Sequence, residues 1–297
     1  MKNVGIIGIG DMGMGMSKNL IKDGFSVQGF DINPKRLENF KKLGGKTCSS
    51  CADVAVGADV VFVMVLNAAQ AENAIFGEKG LSDKLKSNTT VILTATIGKG
   101  AVEAIAKKLL EEKNVKMIDS GVSGGQFGAD AGTLTMMASG ERSVFDSCQD
   151  VMNSVGKKIF YVGEKPGMGQ VVKACLQAMG AIVYAATFET LILGAAAGVD
   201  IQILTDVVAS SVCGTPSFKN AAEKIMDRAF VGTGSHVGTM YKDVGITMAM
   251  AKELGVPLPT TAIANQIFQA TITKFPNEDN WAAIKLYEDI VGVEVKR

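Results

Sequence analysis

The stretch VGIIGIGDMG, residues 4–13, decides the fold, because a short apolar run leads directly into a G-x-G-x-x-G pattern. In a strand–turn–helix unit, Gly8 permits the tight turn and Gly10 lets the backbone approach a pyrophosphate, while Gly13 allows the helix to pack closely on the strand. The phosphates then lie at the N-terminus of the helix. The residues between the glycines complete the expected contact set: Ile9, Asp11 and Met12. An ordinary strand–helix turn would carry the same letters, so the context must decide.

The context is a second apolar run, SVQGFD, which ends at Asp31 about 20 residues further on. An acidic residue at that place accepts hydrogen bonds from the ribose hydroxyls of an adenosine and repels a 2′-phosphate. The pair of signals predicts a dinucleotide site that takes NAD. NADP is the less favoured alternative, since Lys35 and Arg36 follow closely and could hold a phosphate.

Short β-branched runs alternate with amphipathic stretches through the first half of the chain. The predicted strands are Val4–Ile9, Ser26–Asp31, Val60–Leu66, Thr90–Thr94 and Lys116–Asp119. The predicted helices are Met14–Asp23, Pro34–Leu43, Cys51–Ala58, Leu81–Lys86 and Lys99–Lys113. This alternation predicts an α/β domain, a Rossmann-type doubly wound and mainly parallel sheet with helices on both faces.

After about residue 163 the pattern changes to apolar helical runs without a convincing strand. The segment from Gly169 to about Ala197 contains no proline, which permits one helix of roughly 28 residues, about 42 Å long. We therefore predict an NAD-binding Rossmann domain over residues 1–164 and an all-α domain over residues 165–297, joined by this helix. A helix of that length needs partners along most of its surface, so we expect a homodimer or homotetramer formed through the helical half.

The composition excludes several classes of protein. With 30 Lys+Arg, 30 Asp+Glu and 47% hydrophobic residues, the 297-residue chain is too apolar to be disordered and too evenly charged to bind nucleic acid. A single histidine, His236, and five scattered cysteines argue against a catalytic metal site and against a disulfide-stapled fold. The apolar segment 180–199 is long enough to span a bilayer but carries Glu189 and lacks flanking basic clusters. We expect a cytoplasmic protein with no membrane, nucleic-acid or metal partner.

A dinucleotide cofactor requires a group that takes the proton of a substrate hydroxyl when hydride leaves the same carbon. His236 lies in a glycine-rich loop, where a lone histidine is more often a surface residue. Lys173 is the stronger candidate, because it lies in the first turns of the long helix, where the positive end of the helix dipole disfavours a protonated amine. Gln177 is four residues further on and therefore shares its helix face. A Lys/Gln pair at this spacing is also common on exposed helix faces.

The second candidate constellation is DSGVSGG, residues 119–125, at the end of the last predicted strand. Open α/β sheets bind ligands at the carboxyl edge of their strands. Ser123 offers a hydroxyl, and Gly124 and Gly125 offer unhindered backbone N–H groups, which together suit a substrate carboxylate. A flexible Gly-Ser turn is the structural alternative.

Four separate segments resemble the β-hydroxyacid dehydrogenase family, which includes 3-hydroxyisobutyrate dehydrogenase, tartronate semialdehyde reductase and L-threonate dehydrogenase. They are GIIGIGDMG from Gly5, DSGVSGGQFGADAGTLTMMASG from Asp119, GMGQVVKACLQ from Gly167 and YKDVGITMAMAKELGVPLP from Tyr241. The resemblance implies an enzyme that oxidises a small hydroxy acid with NAD(P). In it, Lys173 matches the catalytic lysine and Ser123, Gly124 and Gly125 match the loop that binds the substrate carboxylate. The positions that match cofactor contacts are Leu66, Asn67, Thr96 and Lys242.

One departure bears on the substrate. Most of the family has Asn four residues after the lysine, whereas this chain has Gln177, as the L-threonate dehydrogenase branch does. A longer amide beside the lysine suits a polyhydroxylated acid. Against that branch, the chain has Leu176 where a histidine is common and Ser120-Gly121 where Ala-Pro is usual. The alternatives are oxidation of 3-hydroxyisobutyrate, reduction of tartronate semialdehyde, and a cofactor-binding module without activity, against which the retained Lys173 argues.

Overall fold

The computed structural model describes residues 2–297, and the chain forms two compact units that divide after residue 173. The first unit contains one sheet with the strands β1 (Asn3–Ile7), β2 (Ser26–Phe30), β3 (Lys46–Thr47), β4 (Val60–Val63), β5 (Thr90–Leu93), β6 (Met117–Ser123), β7 (Leu134–Ser139) and β8 (Gly156–Gly163). The strand order is β3-β2-β1-β4-β5-β6-β7-β8, and every neighbouring pair is parallel except β6 and β7. The predicted α/β fold is confirmed.

Helices cover the sheet of the first unit. They are α1 (Asp11–Lys22), α2 (Pro34–Lys42), α3 (Cys51–Ala55), α4 (Ala68–Phe76), α5 (Lys99–Lys113), α6 (Gly125–Ala131), α7 (Arg142–Ser147) and α8 (Gln149–Val155). Along β4, Val60 and Phe62 pack into one hydrophobic cluster while Val61 and Val63 pack into another. Since successive side chains of a strand point to opposite faces, both faces of the sheet are buried, which explains why β4 is continuously apolar.

The predicted elements differ from the observed ones at the carboxyl side of the sheet. The strand expected at Lys116–Asp119 continues to Ser123, so the motif DSGVSGG lies mostly inside β6 rather than after it. Nor is β6 the last strand, because β7 and β8 follow. The Met- and Ala-containing run of β7 has the composition of a helix, and only its antiparallel pairing with β6 makes it a strand. The helix expected at Leu81–Lys86 is a single 3₁₀ turn, Leu81–Asp83.

The second unit is built of helices around a separate core. After the long helix α9 (Met168–Ala196) come α10 (Ile201–Ser210), α11 (Pro216–Met226), α12 (Val237–Leu254), α13 (Pro259–Lys274) and α14 (Ile284–Val291). Trp281, Phe188 and Phe268 are the largest side chains buried in this core. The sequence predicts a domain division after residue 164, just before α9, whereas the compact units divide after residue 173, inside this helix.

Helix α9 has 29 residues, close to the predicted length. Within residues 2–297 it is the one helix long and apolar enough to cross a membrane. Of its most apolar stretch of 18 residues, 39% is buried inside the protein. Long core helices of soluble proteins share these properties, so length and composition alone do not assign it to a membrane.

Candidate functional site

Four predicted site segments lie at one edge of the sheet in the first unit. Gly8 follows β1, Leu66 and Asn67 follow β4, Thr96 follows β5, and Ser123 ends β6. These four strands are parallel, so their carboxyl ends meet at the same edge. Strand β1 lies between β2 and β4 in the sheet. The chain continues from β1 to β2 on one side, whereas its later strands begin with β4 on the other side. At such a reversal of strand order, open α/β sheets have a crevice that binds ligands.

The glycine turn after β1 requires glycine at two of its three positions. Gly8 has a positive φ of 87°, and a Cβ there would lie 2.1 Å from the carbonyl oxygen of Met64. A Cβ on Gly13 would lie 2.0 Å from the carbonyl oxygen of Gly8, so a side chain would separate α1 from the turn. Gly10 precedes α1 in extended conformation, and only the guanidinium of Arg36 approaches the place of its Cβ. The turn therefore leaves room for a group next to the backbone at Gly10.

Asp31 is 6% exposed and fixes this turn through hydrogen bonds. Its Oδ2 accepts a hydrogen bond from the backbone N–H of Ile9 at 2.7 Å, and its Oδ1 accepts one from Asn33 at 2.8 Å. The guanidinium of Arg36 lies 3.9 Å from Oδ2 and is about half exposed. The sequence placed Asp31 and Arg36 near the same ligand, and the structure puts the two side chains beside each other next to Gly10.

The two loops after β4 and β5 differ in how they are held. Asn67 is exposed and caps α4, since its Oδ1 accepts a hydrogen bond from the N–H of Gln70. The side chain of Gln70 in turn accepts one from the N–H of Leu66, so the exposed turn is braced by its own residues. Thr96 is half-buried in the loop between β5 and α5.

The loop after β6 contains two glycines at positive φ, a backbone conformation that would strain any other residue. Gly124 and Gly125 have φ values of 131° and 59°, and both are exposed, while Ser123 is half-buried. The following helix α6 packs on α1 at Gly15, where a Cβ would lie 2.6 Å from the backbone of Ala129. The loop predicted to bind a carboxylate is thus held against the helix that begins at the glycine turn.

Lys173 is buried, with only 7% of its surface exposed, in the second turn of α9. Its stem packs on β6 at Gly121, where a Cβ would lie 3.1 Å from the Cβ of Lys173. Gly121 is two residues before Ser123 on the same strand. The base of the Lys173 side chain therefore lies against the strand that ends in the predicted carboxylate loop.

A buried network at the start of α9 was missed by the sequence analysis. Asp119 in β6 is fully buried, and its Oδ2 accepts hydrogen bonds from the backbone N–H groups of Gly167 and Gln170 at 3.1 Å and from the hydroxyl of Ser139 at 3.2 Å. Its Oδ1 accepts a fourth from Nε2 of Gln170 at 2.8 Å. Burial raises the pKa of the Asp119 carboxyl above its ordinary value, and the hydrogen bonds from Gln170, Ser139 and Gly167 oppose that shift.

The amide of Gln170 makes every hydrogen bond that it can make. Besides the bond to Asp119, Nε2 donates to the carbonyl oxygen of Ala95 at 3.1 Å. Its Oε1 accepts from the N–H groups of Ile97 at 2.9 Å and Gly98 at 3.1 Å. These partners flank Thr96, so one side chain joins the loop after β5 to the first turn of α9. The available signal was a polar residue on an otherwise apolar helix start, which does not name its partners.

In the second unit, Gln177 and Lys242 share one partner. Gln177 is 8% exposed, and its Nε2 donates a hydrogen bond to Oδ2 of Asp243 at 2.7 Å. The ammonium of Lys242 lies 2.7 Å from the other carboxylate oxygen. Because an ionised carboxylate only accepts hydrogen bonds, Asp243 fixes which end of the Gln177 amide points toward it. Asp243 was also missed as a site residue.

His236, the weaker candidate base, and the cysteines Cys48 and Cys51, to which the sequence assigns no role, have ordinary surroundings. His236 immediately precedes α12, is more than half exposed and lies 3.9 Å from the carboxylate of Asp279. Cys48 and Cys51 are free thiols, and burial raises the pKa of Cys51 to about 11. Across residues 2–297, no cluster of three or more His, Cys, Asp or Glu side chains is placed to hold a metal ion.

The residues of the first unit fit a dinucleotide. The glycine turn leaves the backbone at Gly10 accessible, the N–H groups at the start of α1 face the same edge of the sheet, and a buried carboxylate stands at the end of β2 where a ribose diol would bind.

Several known proteins are similar to this chain in sequence and in fold. Residues 3–163 match the family model of the NAD-binding domain of 6-phosphogluconate dehydrogenase, and residues 167–287 match that of NADP-dependent 3-hydroxyisobutyrate dehydrogenase. The L-threonate dehydrogenases of Cupriavidus necator and Haemophilus influenzae are 34% and 33% identical, covering 97% of this chain and 97% and 96% of theirs. The solved 3-hydroxyisobutyrate dehydrogenase of Salmonella typhimurium is 30% identical, with a TM-score of 0.87 over 96% of this chain and 100% of its own.

Proposed function

The chain belongs to the β-hydroxyacid dehydrogenase family related to 3-hydroxyisobutyrate dehydrogenase, whose members oxidise small hydroxy acids with NAD(P), and we propose which substrate and which residues its reaction uses. The proposed substrate of this NAD-dependent dehydrogenase is a polyhydroxylated acid such as L-threonate. The proposed general acid/base is Lys173. The observation that carries the role of Lys173 is its place. It is a buried lysine of α9 whose side chain packs against β6, the strand that ends at Ser123.

The residues divide the reaction between them. The hydroxyl of Ser123 and the N–H groups of Gly124 and Gly125 bind the substrate carboxylate and so orient the carbon to be oxidised. The turn Gly8–Gly13 and Asp31 would hold the nicotinamide cofactor, which would supply the acceptor for the hydride of that carbon. Lys173 takes the proton of the hydroxyl group as its C–O bond becomes a carbonyl, and returns a proton in the reverse reaction. Burial of Lys173 keeps bulk water away from this proton transfer.

The polyhydroxylated substrate is supported by Gln177. The amide is buried one turn after Lys173 in the same helix, and Asp243 holds its Nε2, which leaves Oε1 to accept a hydrogen bond from a substrate hydroxyl. The names of the relatives from Cupriavidus necator and Haemophilus influenzae agree with L-threonate. Oxidation of 3-hydroxyisobutyrate remains the alternative, because the related structure from Salmonella typhimurium carries that name.

We propose that NAD is preferred over NADP. In this proposal the turn Gly8–Gly13 binds the pyrophosphate, Asp31 binds the adenosine ribose, and the remaining cofactor contacts come from Leu66, Asn67, Thr96 and Lys242. The buried carboxylate of Asp31 repels a 2′-phosphate, while the nearby Arg36 is already paired with it and contributes less to phosphate binding.

We also propose a soluble, cytoplasmic homodimer or homotetramer that binds neither nucleic acid nor membrane. In this arrangement residues 1–164 bind the cofactor and residues 165–297 contribute to substrate binding and assembly. The apolar side chains exposed on α10, Ile203 and Val207, lie one turn apart and support an interface in the helical half.

Substitutions of Lys173 test the mechanism. We expect Lys173→Ala to lower kcat by about a thousandfold with NAD affinity retained, since loss of a general base and its positioning costs that much. Lys173→Arg should be similarly slow, because a guanidinium stays charged and cannot accept the proton. The matched control is Lys165→Ala, an exposed lysine just before α9. Initial rates of NADH formation and NAD titration measure both quantities, and normal turnover by Lys173→Ala would remove the mechanism.

The substrate is tested by kcat/KM for L-threonate, D-glycerate, 3-hydroxyisobutyrate and L-serine with NAD and with NADP. The proposal predicts that L-threonate with NAD is the best pair. Replacement of Gln177 by Asn should lower kcat/KM for L-threonate more than for 3-hydroxyisobutyrate. A preference of the wild-type protein for 3-hydroxyisobutyrate would establish the alternative.

A further inference from the structure

We propose that the buried pair Asp119 and Gln170 is a positioning device that holds three segments of the catalytic site in register: the loop of Thr96, the strand that ends at Ser123, and the helix turn that carries Lys173. The inference rests on the proposed role of Lys173. It concerns residues that touch neither substrate nor cofactor in the mechanism above.

Helix α9 begins without a cap from its own side chains. The residue before the helix is Gly167, which has no side chain to cap the free N–H groups of the first turn. The cap comes instead from β6, because the carboxylate of Asp119 accepts from Gly167 and Gln170, while the Ser139 hydroxyl accepts from Gly169. A carboxylate at a helix N-terminus also interacts favourably with the helix dipole. The start of α9 is therefore fixed by the sheet rather than by its own sequence.

The first turn of α9 is in close contact with the strands β6 and β7. A Cβ on Gly169 would lie 2.4 Å from the carbonyl oxygen of Met137 and 2.7 Å from Oδ2 of Asp119. On the opposite side of the contact, the stem of Lys173 lies against Gly121. Any displacement of the carboxylate therefore moves the turn, and with it the amine one turn further on.

The amide of Gln170 reaches the loop of Thr96. With two donors and two acceptors satisfied at Ala95, Asp119, Ile97 and Gly98, the amide has one orientation only. A rotation of the amide would bring its NH₂ against two backbone N–H groups. Asp119 must consequently present an acceptor to Nε2 and cannot be exchanged for an isosteric amide without placing two donors face to face.

This donor–acceptor pattern defines the test. In Asp119→Asn, the new NH₂ meets either Nε2 of Gln170 or the donors at the start of α9. In Gln170→Glu, two carboxylates meet at the 2.8 Å distance of the present hydrogen bond. The double variant Asp119→Asn, Gln170→Glu restores a donor–acceptor pair between the two positions and the single negative charge. Its remaining cost is that a carboxylate oxygen at position 170 faces the carbonyl oxygen of Ala95, where Nε2 donates in the wild type, so we expect partial rather than full recovery. Direct pairing therefore predicts that the double variant is more active than either single variant.

The experiment measures kcat, KM and the free energy of unfolding of the full-length protein with its best hydroxy acid and NAD. We expect Asp119→Asn to lower kcat about 10- to 100-fold, the loss typical of a catalytic group displaced by about 1 Å, with KM for the hydroxy acid changed less than about threefold. The double variant should recover at least about fivefold in kcat over Asp119→Asn. The matched control is Glu288→Gln in the second unit, another buried carboxylate that accepts a backbone N–H, which should lose stability but keep kcat.

The outcomes separate this inference from the proposed function. If Lys173→Ala is inactive while Asp119→Asn turns over at the wild-type rate, the positioning role is wrong and the mechanism stands. If Lys173→Ala is active, the mechanism fails whatever Asp119→Asn does. A double variant no faster than the single variants overturns the direct pairing. Should Asp119→Asn give no soluble protein, Gln170→Leu replaces it, and a wild-type kcat in that variant likewise overturns the proposal.

Discussion

Asp31 and Asp119 are both buried aspartates whose oxygens accept backbone N–H groups near the carboxyl edge of one sheet, yet they have different surroundings. Asp31 has a cation 3.9 Å away and accepts from residues next to the glycine turn. Asp119 accepts four hydrogen bonds from neutral donors, three of which belong to residues 48 to 51 positions away in the chain. Asp31 lies in the proposed cofactor site, whereas all four hydrogen bonds of Asp119 come from groups of the protein itself.

The difference shows what each carboxylate does for the protein. A carboxylate whose oxygens accept only one hydrogen bond each can accept more, so Asp31 is suited to ribose hydroxyls. A carboxylate with every partner supplied by the fold contributes rigidity and specifies one arrangement of its neighbours. We therefore expect substitutions at Asp31 to change chiefly cofactor binding and substitutions at Asp119 to change chiefly stability and the rate of the chemical step.

The largest expected contrast is in stability. Asp119→Ala leaves four buried donors without an acceptor and should lower the free energy of unfolding by about 4 kcal/mol, given about 1–3 kcal/mol for each unsatisfied group and partial relaxation. Asp31→Ala leaves the buried N–H of Ile9 and the partly buried N–H of Asn33 without an acceptor, which should cost about 1–2 kcal/mol. Urea denaturation of both variants measures the difference. Equal losses in the free energy of unfolding would show that the two carboxylates contribute equally to stability.

A contrast of about 2 kcal/mol is expected between two glycines of α9. Gly169→Ala places a Cβ against the carbonyl oxygen of Met137 and the carboxylate of Asp119, and such overpacking costs about 1–3 kcal/mol. Gly180→Ala, in the same helix with open space around its Cβ, should gain about 0.5–1 kcal/mol from helix propensity. Thermal or urea unfolding checks both. A stabilised Gly169→Ala variant would mean that the turn is not pressed against the sheet.

The sequence predicts the surroundings of Asp31 well because the signals for them are local. The spacing from the glycines to Asp31 reflects one strand–helix–strand unit, and the predicted helix Lys99–Lys113 is confirmed at both ends. The prediction that β6 ends the sheet was wrong, because the pairing of β7 with β6 depends on a partner 12 to 20 residues away rather than on its own helix-like composition. Asp119 and Gln170 were missed for a similar reason. A buried polar residue has no periodicity, and its partners are set by tertiary packing.

A smaller contrast concerns the cofactor. Asp31→Ser should weaken NAD binding about tenfold, equivalent to about 1.4 kcal/mol, and improve the NADP/NAD ratio of kcat/KM by a larger factor, because the repulsion of a 2′-phosphate disappears and Arg36 loses its carboxylate partner. Asp119→Asn should leave this ratio unchanged. Asp23→Ser, at the exposed end of α1, serves as the control for a lost surface charge. An unchanged NADP/NAD ratio in Asp31→Ser would remove Asp31 from the ribose site.

The smallest expected effect is a pH dependence that belongs to Asp119 alone. Burial raises the pKa of this carboxyl in the folded protein above its ordinary value of 3.8, so between these two pKa values the folded state binds more protons than the unfolded state. The free energy of unfolding contributed by this group must then fall as the pH rises through that window, and become constant above it. Asp119→Asn cannot titrate at this position, so the difference in stability between wild type and variant should be greater near pH 4 than at pH 7. Urea titrations of both proteins at several pH values measure this difference, in which the other carboxyl groups cancel. A difference that grows toward pH 7 would mean that the four hydrogen bonds outweigh the loss of hydration, and that the folded protein favours the ionised carboxylate.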